Sequence, residues 1–173
     1  IKLAKEHNMK FDLVVYSLAS PVRTDPDTKV LYRSVIKPIG KDFSGVTFDT
    51  MTGEMKEITA EAANEEEIAN TVKVMGGEDW ERWINQMMKA DVLADGCMTV
   101  AYSYIGPELS QAIYRSGTIG MAKVDLEAKA DVLRNKMSTI NGQAFVSVNK
   151  GLVTRSSAVI PIIPLYLSVL FKV

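Results

Sequence analysis

Three short apolar runs, each rich in β-branched or aromatic residues, constrain the fold of this chain more than any other feature. The runs are FDLVVYSLASP at 11–21, CMTVAYSY at 97–104 and QAFVSVN at 143–149. Such runs are typical of buried strands in a parallel sheet, and helical patterns separate them, which is the order of right-handed βαβ units. The sequence therefore predicts an α/β fold with a doubly wound parallel sheet of the Rossmann type.

Three helices are predicted between these strands. Asn64 followed by Glu67 is a capping-box pattern, and the helix it begins is expected to stop at Gly76-Gly77. A second helix starts at about Glu78, and a third occupies most of 109–137. The apolar stripe of the second helix is more typical of core packing than of a cofactor contact; it consists of Trp80, Trp83, Ile84, Met87 and Met88.

The stretch between the first strand and these helices is predicted to hold no core element. Residues 22–40 are rich in Arg, Thr, Asp, Pro and Lys and are expected to form an exposed connection. Residues 41–60 predict a small β-hairpin appendage, because VTFDT and EMKEI flank Met51-Thr52-Gly53 and Gly53 can supply the positive φ of a turn.

Composition excludes several classes of protein. A chain of 173 residues with 47% hydrophobic residues and a net charge of −1 fits one ordered domain, and it offers no basic field for nucleic acid. The longest apolar run, 158–171, contains two prolines and is shorter than the roughly 20 residues of a membrane span. Because the chain starts at Ile1 and stops directly after that run, we expect it to be a piece of a longer protein.

Cysteine and histidine are too few for several kinds of site. The single Cys97 cannot form an internal disulfide, and no cluster of metal ligands is expected, so a reducing cytoplasm is the expected location. A hydrolase triad would need His7, whose polar surroundings KEHN favour a surface position. The acidic groups at Glu65–Glu67 and Glu78-Asp79 are most simply solvated first turns of helices.

Tyrosine and lysine are grouped after the second strand, at Tyr102, Tyr104, Tyr114 and Lys123. A phenol can donate a proton to a developing oxyanion, and a nearby ammonium lowers its pKa. In a continuous helix, Tyr114 and Lys123 would lie about 180° apart and roughly 13 Å along the axis, so direct pairing needs a break, expected at Ser116-Gly117. The alternative is an interfacial tyrosine beside a lysine whose stem packs on apolar surface.

A cofactor site is predicted beyond the first strand, because ligands of open α/β sheets lie at the carboxyl ends of the strands. Ser17, Leu18 and Ala19 are the candidates there. Neither a G-x-G-x-x-G nor a Walker motif occurs in the chain, and GTIG at 117–120 is too short to count as one. The phosphate loop for a dinucleotide is therefore missing from these residues.

The segment YRSGTIGMAK at 114–123 resembles the Tyr-x8-Lys signature of the FabV-type enoyl-acyl-carrier-protein reductases and trans-2-enoyl-CoA reductases. Four further blocks resemble the same family in order and spacing, over nearly the whole chain: VVYSLASPVRTDP, VMGGEDWERWI, AYSYIGPEL and VSVNKGLVTRSSAVIPIIPLYLSVLFKV. The resemblance implies that 1–173 are the central, catalytic part of one Rossmann-type reductase domain. The amino-terminal Gly-rich NAD loop and a carboxyl-terminal part would then lie outside the chain.

The resemblance also implies roles for individual residues. Tyr114 would be the proton donor, Tyr104 would contact the substrate thioester, and Lys123 would contact the nicotinamide nucleotide and bias Tyr114 electrostatically. The remaining cofactor contacts would come from two loops, Leu18 with Ala19 and Leu152-Val153-Thr154. This sequence departs from the family at Gly151, where a small residue such as Ala is expected, and at Met121, where Lys, Arg or Ala is usual; neither holds an assigned role.

The activity implied is NADH-dependent reduction of the trans-2 double bond of enoyl-CoA or enoyl-acyl-carrier-protein, the last step of fatty-acid elongation. The residues themselves leave open which thioester carrier is used, and a monomer is compatible with them. Residues 160–167 could line the acyl pocket or form a buried helix. A different class stays open, in which the chain is a catalytically silent fragment that binds at most an acyl group or a partner.

Overall fold

A three-stranded parallel sheet organises the computed structural model, which describes residues 1–18, 20–49, 52–106, 108 and 111–149. A 3-10 turn, Ser138–Ile140, precedes the last strand. The helices and strands are, in chain order, α1 (Lys2–Glu6), β1 (Phe11–Tyr16), β2 (Val22–Thr24), β3 (Leu31–Arg33), β4 (Phe43–Asp49), β5 (Glu54–Ala60), α2 (Glu65–Met75), α3 (Glu78–Lys89), β6 (Leu93–Ser103), α4 (Thr118–Met137) and β7 (Gln143–Val148).

The three predicted apolar runs form the strands of this sheet, in the order β1-β6-β7. Val14 is paired with Thr99, and Val100 is paired with Phe145, both in parallel register. The predicted α/β class with a parallel sheet is confirmed. The strand bounds differ from the predicted runs, since β1 ends at Tyr16 and β6 begins at Leu93.

The hydrophobic core lies between the helices and one face of this sheet. Along β6, Cys97, Thr99 and Ala101 are buried, whereas Met98 and Tyr102 on the alternate face are exposed. The two crossovers run in the same direction across the sheet, so right-handed connections bring their helices to the same face. The sequence predicts that the first strand is buried. This prediction is wrong for the face of β1 that points away from the helices, where Leu13 and Val15 are exposed.

The local signals predicted their elements well. The hairpin is β4 paired with β5, and Gly53 in its turn has a φ of 75°, a conformation that favours glycine. The capping box is present, because Asn64 Oδ1 accepts a bond from the Glu67 amide and the Glu67 carboxylate accepts one from the Asn64 amide. Helices α2 and α3 meet at Gly76-Gly77, as predicted.

Two predictions about burial are wrong. Residues 22–40 are not simply an exposed connection, because β2 and β3 form a second hairpin. The Arg23 side chain in this hairpin is only 9% exposed, and its Nη1 donates to the Lys73 carbonyl at 2.8 Å. The apolar stripe of α3 is also narrower than predicted. Trp80, Ile84 and Met87 are buried, whereas Trp83 is 53% exposed.

Candidate active site

The predicted site residues that the structure describes lie at or beyond the carboxyl ends of β1 and β6, which are neighbouring parallel strands. Leu18 lies two residues after β1, and Tyr104 directly follows β6. Tyr114 occupies the turn before α4, and Lys123 lies in the second turn of that helix. Carboxyl ends of parallel strands share one edge of the sheet, which is where open α/β sheets bind ligands.

Several predicted positions lie outside the described residues. They are Ala19, Gly151, the predicted cofactor loop Leu152-Val153-Thr154 and the apolar stretch 160–167. Leu18, the described member of the first cofactor pair, is 64% exposed, so this residue is accessible to the backbone contact with a cofactor that the resemblance implies.

Tyr104 and Tyr114 are in direct contact. Their ring centroids are 5.4 Å apart and the ring planes are inclined by 74°, an edge-to-face pair. Such pairs contribute about 0.5–1.5 kcal/mol beyond the area they bury. The structure therefore joins the predicted proton donor and the predicted thioester contact in one aromatic pair.

Tyr114 is a buried phenol, 7% exposed. Burial raises its pKa to about 12, and the neighbouring Tyr104 adds to the increase. The net effect on this pKa is therefore an increase, and the expected electrostatic effect of Lys123 on Tyr114 stays a prediction. Tyr114 is therefore protonated throughout the neutral range, as an unperturbed phenol also is, and its hydroxyl can donate a hydrogen bond.

Lys123 is a half-buried ammonium on α4. Burial lowers its pKa, and the Glu127 carboxylate partly offsets that effect. Within the described residues its ammonium has no hydrogen-bond acceptor. An ammonium has three donors and no acceptor, so Lys123 is free to donate to an oxygen of a bound ligand.

The break between Tyr114 and Lys123 is confirmed. Helix α4 begins at Thr118, with Gly117 in extended conformation at its N-cap, so Tyr114 lies outside the helix. The separation of about 180° expected for a continuous helix therefore does not apply.

Sequence reasoning missed a buried arginine beside the candidate cofactor loop. Arg23 follows Leu18 by five residues, and its guanidinium lies 3.5 Å from the carboxylates of both Glu78 and Asp79 at the start of α3. Together with the bond to the Lys73 carbonyl, these contacts tie β2, and so the end of the loop, to the α2–α3 junction. The sequence carried no signal for this, because an arginine in a polar stretch is usually exposed.

The described residues offer no metal site, and their cysteine and histidine lie apart from Tyr104 and Tyr114 in the sequence. No group of three or more His, Cys, Asp or Glu in the described part of the chain could hold a metal ion. Cys97 is buried and free, and burial raises the pKa of its thiol. His7 is exposed, as predicted. No helix of the described ranges has the length and apolar character to cross a bilayer.

The buried phenol of Tyr114 and the partly buried phenol of Tyr16 predict loss of stability at alkaline pH. Burial raises the pKa of both Tyr114 and Tyr16 to about 12, whereas an unfolded tyrosine titrates near 10. The folded state therefore binds more protons between these values, and the stability present below about pH 10 is lost as the pH rises to about 12. Lys123 has a lowered pKa and acts in the opposite direction, favouring the folded state as the pH approaches about 10.5.

Urea unfolding measured on both sides of pH 10 checks this expectation. Tyr114→Phe should flatten the alkaline loss of the free energy of unfolding, because it removes one of the two phenols. An identical slope in the variant and the parent would contradict the buried, protonated state of Tyr114.

One protein family matches the whole length of this chain. The family model described as the trans-2-enoyl-CoA reductase catalytic region matches residues 1–173. The chain is 66% identical to the trans-2-enoyl-CoA reductase [NADH] of Treponema denticola over all of this chain and 43% of that protein. It is 57% identical to the enoyl-[acyl-carrier-protein] reductase [NADH] of Cytophaga hutchinsonii over all of this chain and 44% of that protein.

A solved structure agrees with these matches. The crystal structure of the Treponema denticola trans-2-enoyl-CoA reductase in complex with NAD superposes with a TM-score of 0.93 at 65% identity, covering 99% of this chain and 42% of that one. The chain thus spans less than half the length of the relatives it matches.

Proposed function

Because the chain belongs to the trans-2-enoyl-CoA reductase family, we propose that it is the catalytic part of an NADH-dependent reductase of trans-2-enoyl thioesters. The substrate is an enoyl thioester of coenzyme A or of acyl carrier protein, and the product is the saturated acyl thioester. The observation that carries the proposal is Tyr114, a buried phenol that stays protonated at neutral pH and packs edge-to-face on Tyr104.

The residues of this chain handle the charge and the proton of the reaction. When bound, NADH supplies a hydride to C3 of the enoyl thioester. Negative charge then develops on the thioester oxygen, and the Tyr114 hydroxyl donates a hydrogen bond to that oxygen and supports protonation at C2. Tyr104, which orients the Tyr114 ring, contacts the same thioester.

In this proposal, three segments of the chain bind the cofactor. Lys123 donates from its half-buried ammonium to the nicotinamide ribose, and Leu18 with Ala19 contacts the nucleotide beyond β1. Leu152-Val153-Thr154 provides the second loop. The first two assignments are supported by the lack of an acceptor for Lys123 within the described ranges and by the exposure of Leu18.

The organisation, location and assembly of the protein are proposed from the same family membership. Residues 1–173 form the central part of a single Rossmann-type domain, with 41–60 as the hairpin appendage and the Gly-rich phosphate loop outside these residues. The protein acts as a monomer in the cytoplasm, where the free Cys97 thiol stays reduced. The alternative of a catalytically silent fragment is not favoured, because the relatives it matches are named as reductases.

An activity assay tests the proposed function. We define the family-length enzyme as a polypeptide in which these 173 residues replace the matching segment of the Treponema denticola reductase. We expect it to consume NADH when a short trans-2-enoyl-CoA or enoyl-acyl-carrier-protein is added, and not when the saturated thioester is added instead. The loss of NADH absorbance measures this consumption. No consumption with either carrier would contradict the function while leaving the fold unaffected.

A further inference from the structure

The motif GTIG at 117–120 forms the N-cap and the first residues of α4, and all four of its residues are buried. It is too short to be a phosphate fingerprint, and the proposed mechanism assigns it no role. It lies between Tyr114 and Lys123, the two residues whose relative placement the proposed chemistry needs.

Gly120 lets the Tyr114 turn rest directly on the helix. A Cβ at this position would overlap the Arg115 carbonyl oxygen and would lie 2.9 Å from the Tyr114 carbonyl oxygen. Both contacts are with backbone, which cannot rotate away as a flexible side chain can. Any residue larger than glycine at 120 therefore displaces the backbone of Tyr114 and Arg115 from α4.

Gly117 also has no room for a Cβ, because backbone lies directly against it on the other side of the Tyr114 turn. Its added Cβ would overlap the Ile113 carbonyl oxygen and would lie 2.6 Å from the Lys37 carbonyl oxygen. The two glycines thus hold the carbonyls of the residues before and after Tyr114 against the start of α4.

Thr118 anchors the start of the helix from outside. Its amide donates to the Lys37 carbonyl at 3.0 Å, and its hydroxyl donates to the Val35 carbonyl at 2.6 Å. The segment it contacts is itself tied to α2, because the Val35 amide donates to the Thr71 hydroxyl at 3.1 Å and the Lys37 ammonium is paired with Glu67 at 2.6 Å. The first turn of α4 is therefore held by α2 as well as by the Tyr114 turn.

We propose that Gly120 and Thr118 are positioning residues that set the Tyr114 phenol relative to Lys123. This inference rests on the proposed function, since it concerns the geometry of the same site. Gly120 determines how close the Tyr114 turn lies to α4, and Thr118 determines where that helix begins. Displacing the donor by about 1 Å costs about 10²-fold in rate, so small changes here have large effects.

Gly120→Ala in the family-length enzyme is the first test. We expect kcat to fall by about 10²-fold with little change in the KM for NADH, because the donor moves while Lys123 stays on the helix. Gly142→Ala is the matched control. Gly142 is a buried glycine directly before β7, where an added Cβ would lie 2.9 Å from the Cys97 carbonyl oxygen. That variant should lose stability and keep its kcat.

A second pair of variants covers the case in which Gly120→Ala does not fold. Thr118→Val keeps the size of the side chain and loses two hydroxyl bonds, the one donated to the Val35 carbonyl and the one accepted from the Lys37 amide at 3.3 Å. Thr118→Ser keeps the hydroxyl. We expect Thr118→Val to lower kcat and Thr118→Ser to retain most of it. Equal kcat in the two Thr118 variants would overturn the proposal, and so would an unchanged kcat in folded Gly120→Ala. A fall of kcat in Gly142→Ala as large as that in Gly120→Ala would also overturn it.

A measurement without substrate separates this proposal from the proposed function. The ultraviolet titration of Tyr114, taken as the difference between each protein and its Tyr114→Phe version, should give a pKa near 12 in the parent and a lower one in Thr118→Val. The value falls because the displaced phenol is better solvated. An inactive parent would contradict the reductase function, whereas an identical Tyr114 titration in parent and Thr118→Val would overturn the positioning role.

Discussion

Tyr114→Phe should lower the turnover of the family-length enzyme by about 10² to 10³-fold, the usual effect of removing one preorganised donor to a developing oxyanion. The substitution keeps the ring and its edge-to-face contact with Tyr104, so the aromatic pair and the surrounding packing remain. Only the hydroxyl is lost, and with it the hydrogen-bond donor of Tyr114. The affinity for NADH, measured by fluorescence titration, should hardly change.

Tyr102→Phe is the matched control for this prediction. It removes a hydroxyl from the same strand region, but Tyr102 is exposed on the face of β6 away from the core. The control should keep the turnover of the parent. Near-normal turnover in Tyr114→Phe would remove Tyr114 from the role of proton donor, whatever the control does.

Trp80→Ala should lower the free energy of unfolding by about 3–5 kcal/mol, the range measured for truncation of a buried aromatic side chain. Trp80 is 0% exposed, and its ring stacks on Tyr16 with centroids 6.3 Å apart. Its indole Nε1 donates to the Thr99 hydroxyl at 2.9 Å, and that hydroxyl donates to the Val14 carbonyl at 3.0 Å. The indole thus connects α3 to β6 and, through Thr99, to β1.

Trp83→Ala in the same helix supplies the comparison. Trp83 is 53% exposed, and substitutions at such surface positions usually change stability by no more than about 0.5 kcal/mol. Urea denaturation of both variants and the parent gives the two differences directly. Similar losses in both variants would mean that α3 packs with a different face toward the sheet.

Elements defined by local sequence were predictable, and the reason is that their signals act over a few residues. The capping box at Asn64 and Glu67 satisfies amides within one helical turn. The hairpin depends on the positive φ at Gly53, and the break before α4 depends on Gly117, each a property of one backbone position. The three strands were predictable because each is a continuous run of β-branched, aromatic and other apolar residues, even though one face of β1 is exposed.

Burial was harder to predict, because it depends on which elements lie next to one another. Trp80 and Trp83 are the same residue type three positions apart, and only the packing of α3 on the sheet distinguishes them. Arg23 occurs in a polar stretch, yet it is buried because the α2–α3 junction presents a carbonyl and two carboxylates to it. Likewise, the burial that raises the Tyr114 pKa is a property of the folded site and not of the Tyr-x8-Lys spacing.

The sequence by itself determined the α/β class, the chain order of the three parallel strands and the helices between them, and, through the resemblance of its motifs, the reductase family. Only the tertiary structure decided that Tyr104 contacts Tyr114, that Lys123 is half-buried, and that GTIG is a close-packing motif between them. The physical reason is the separation in sequence over which each interaction acts. Propensity and capping act between neighbours in the chain, whereas desolvation and backbone contact depend on segments that folding brings together, such as 35–37 and the first turn of α4.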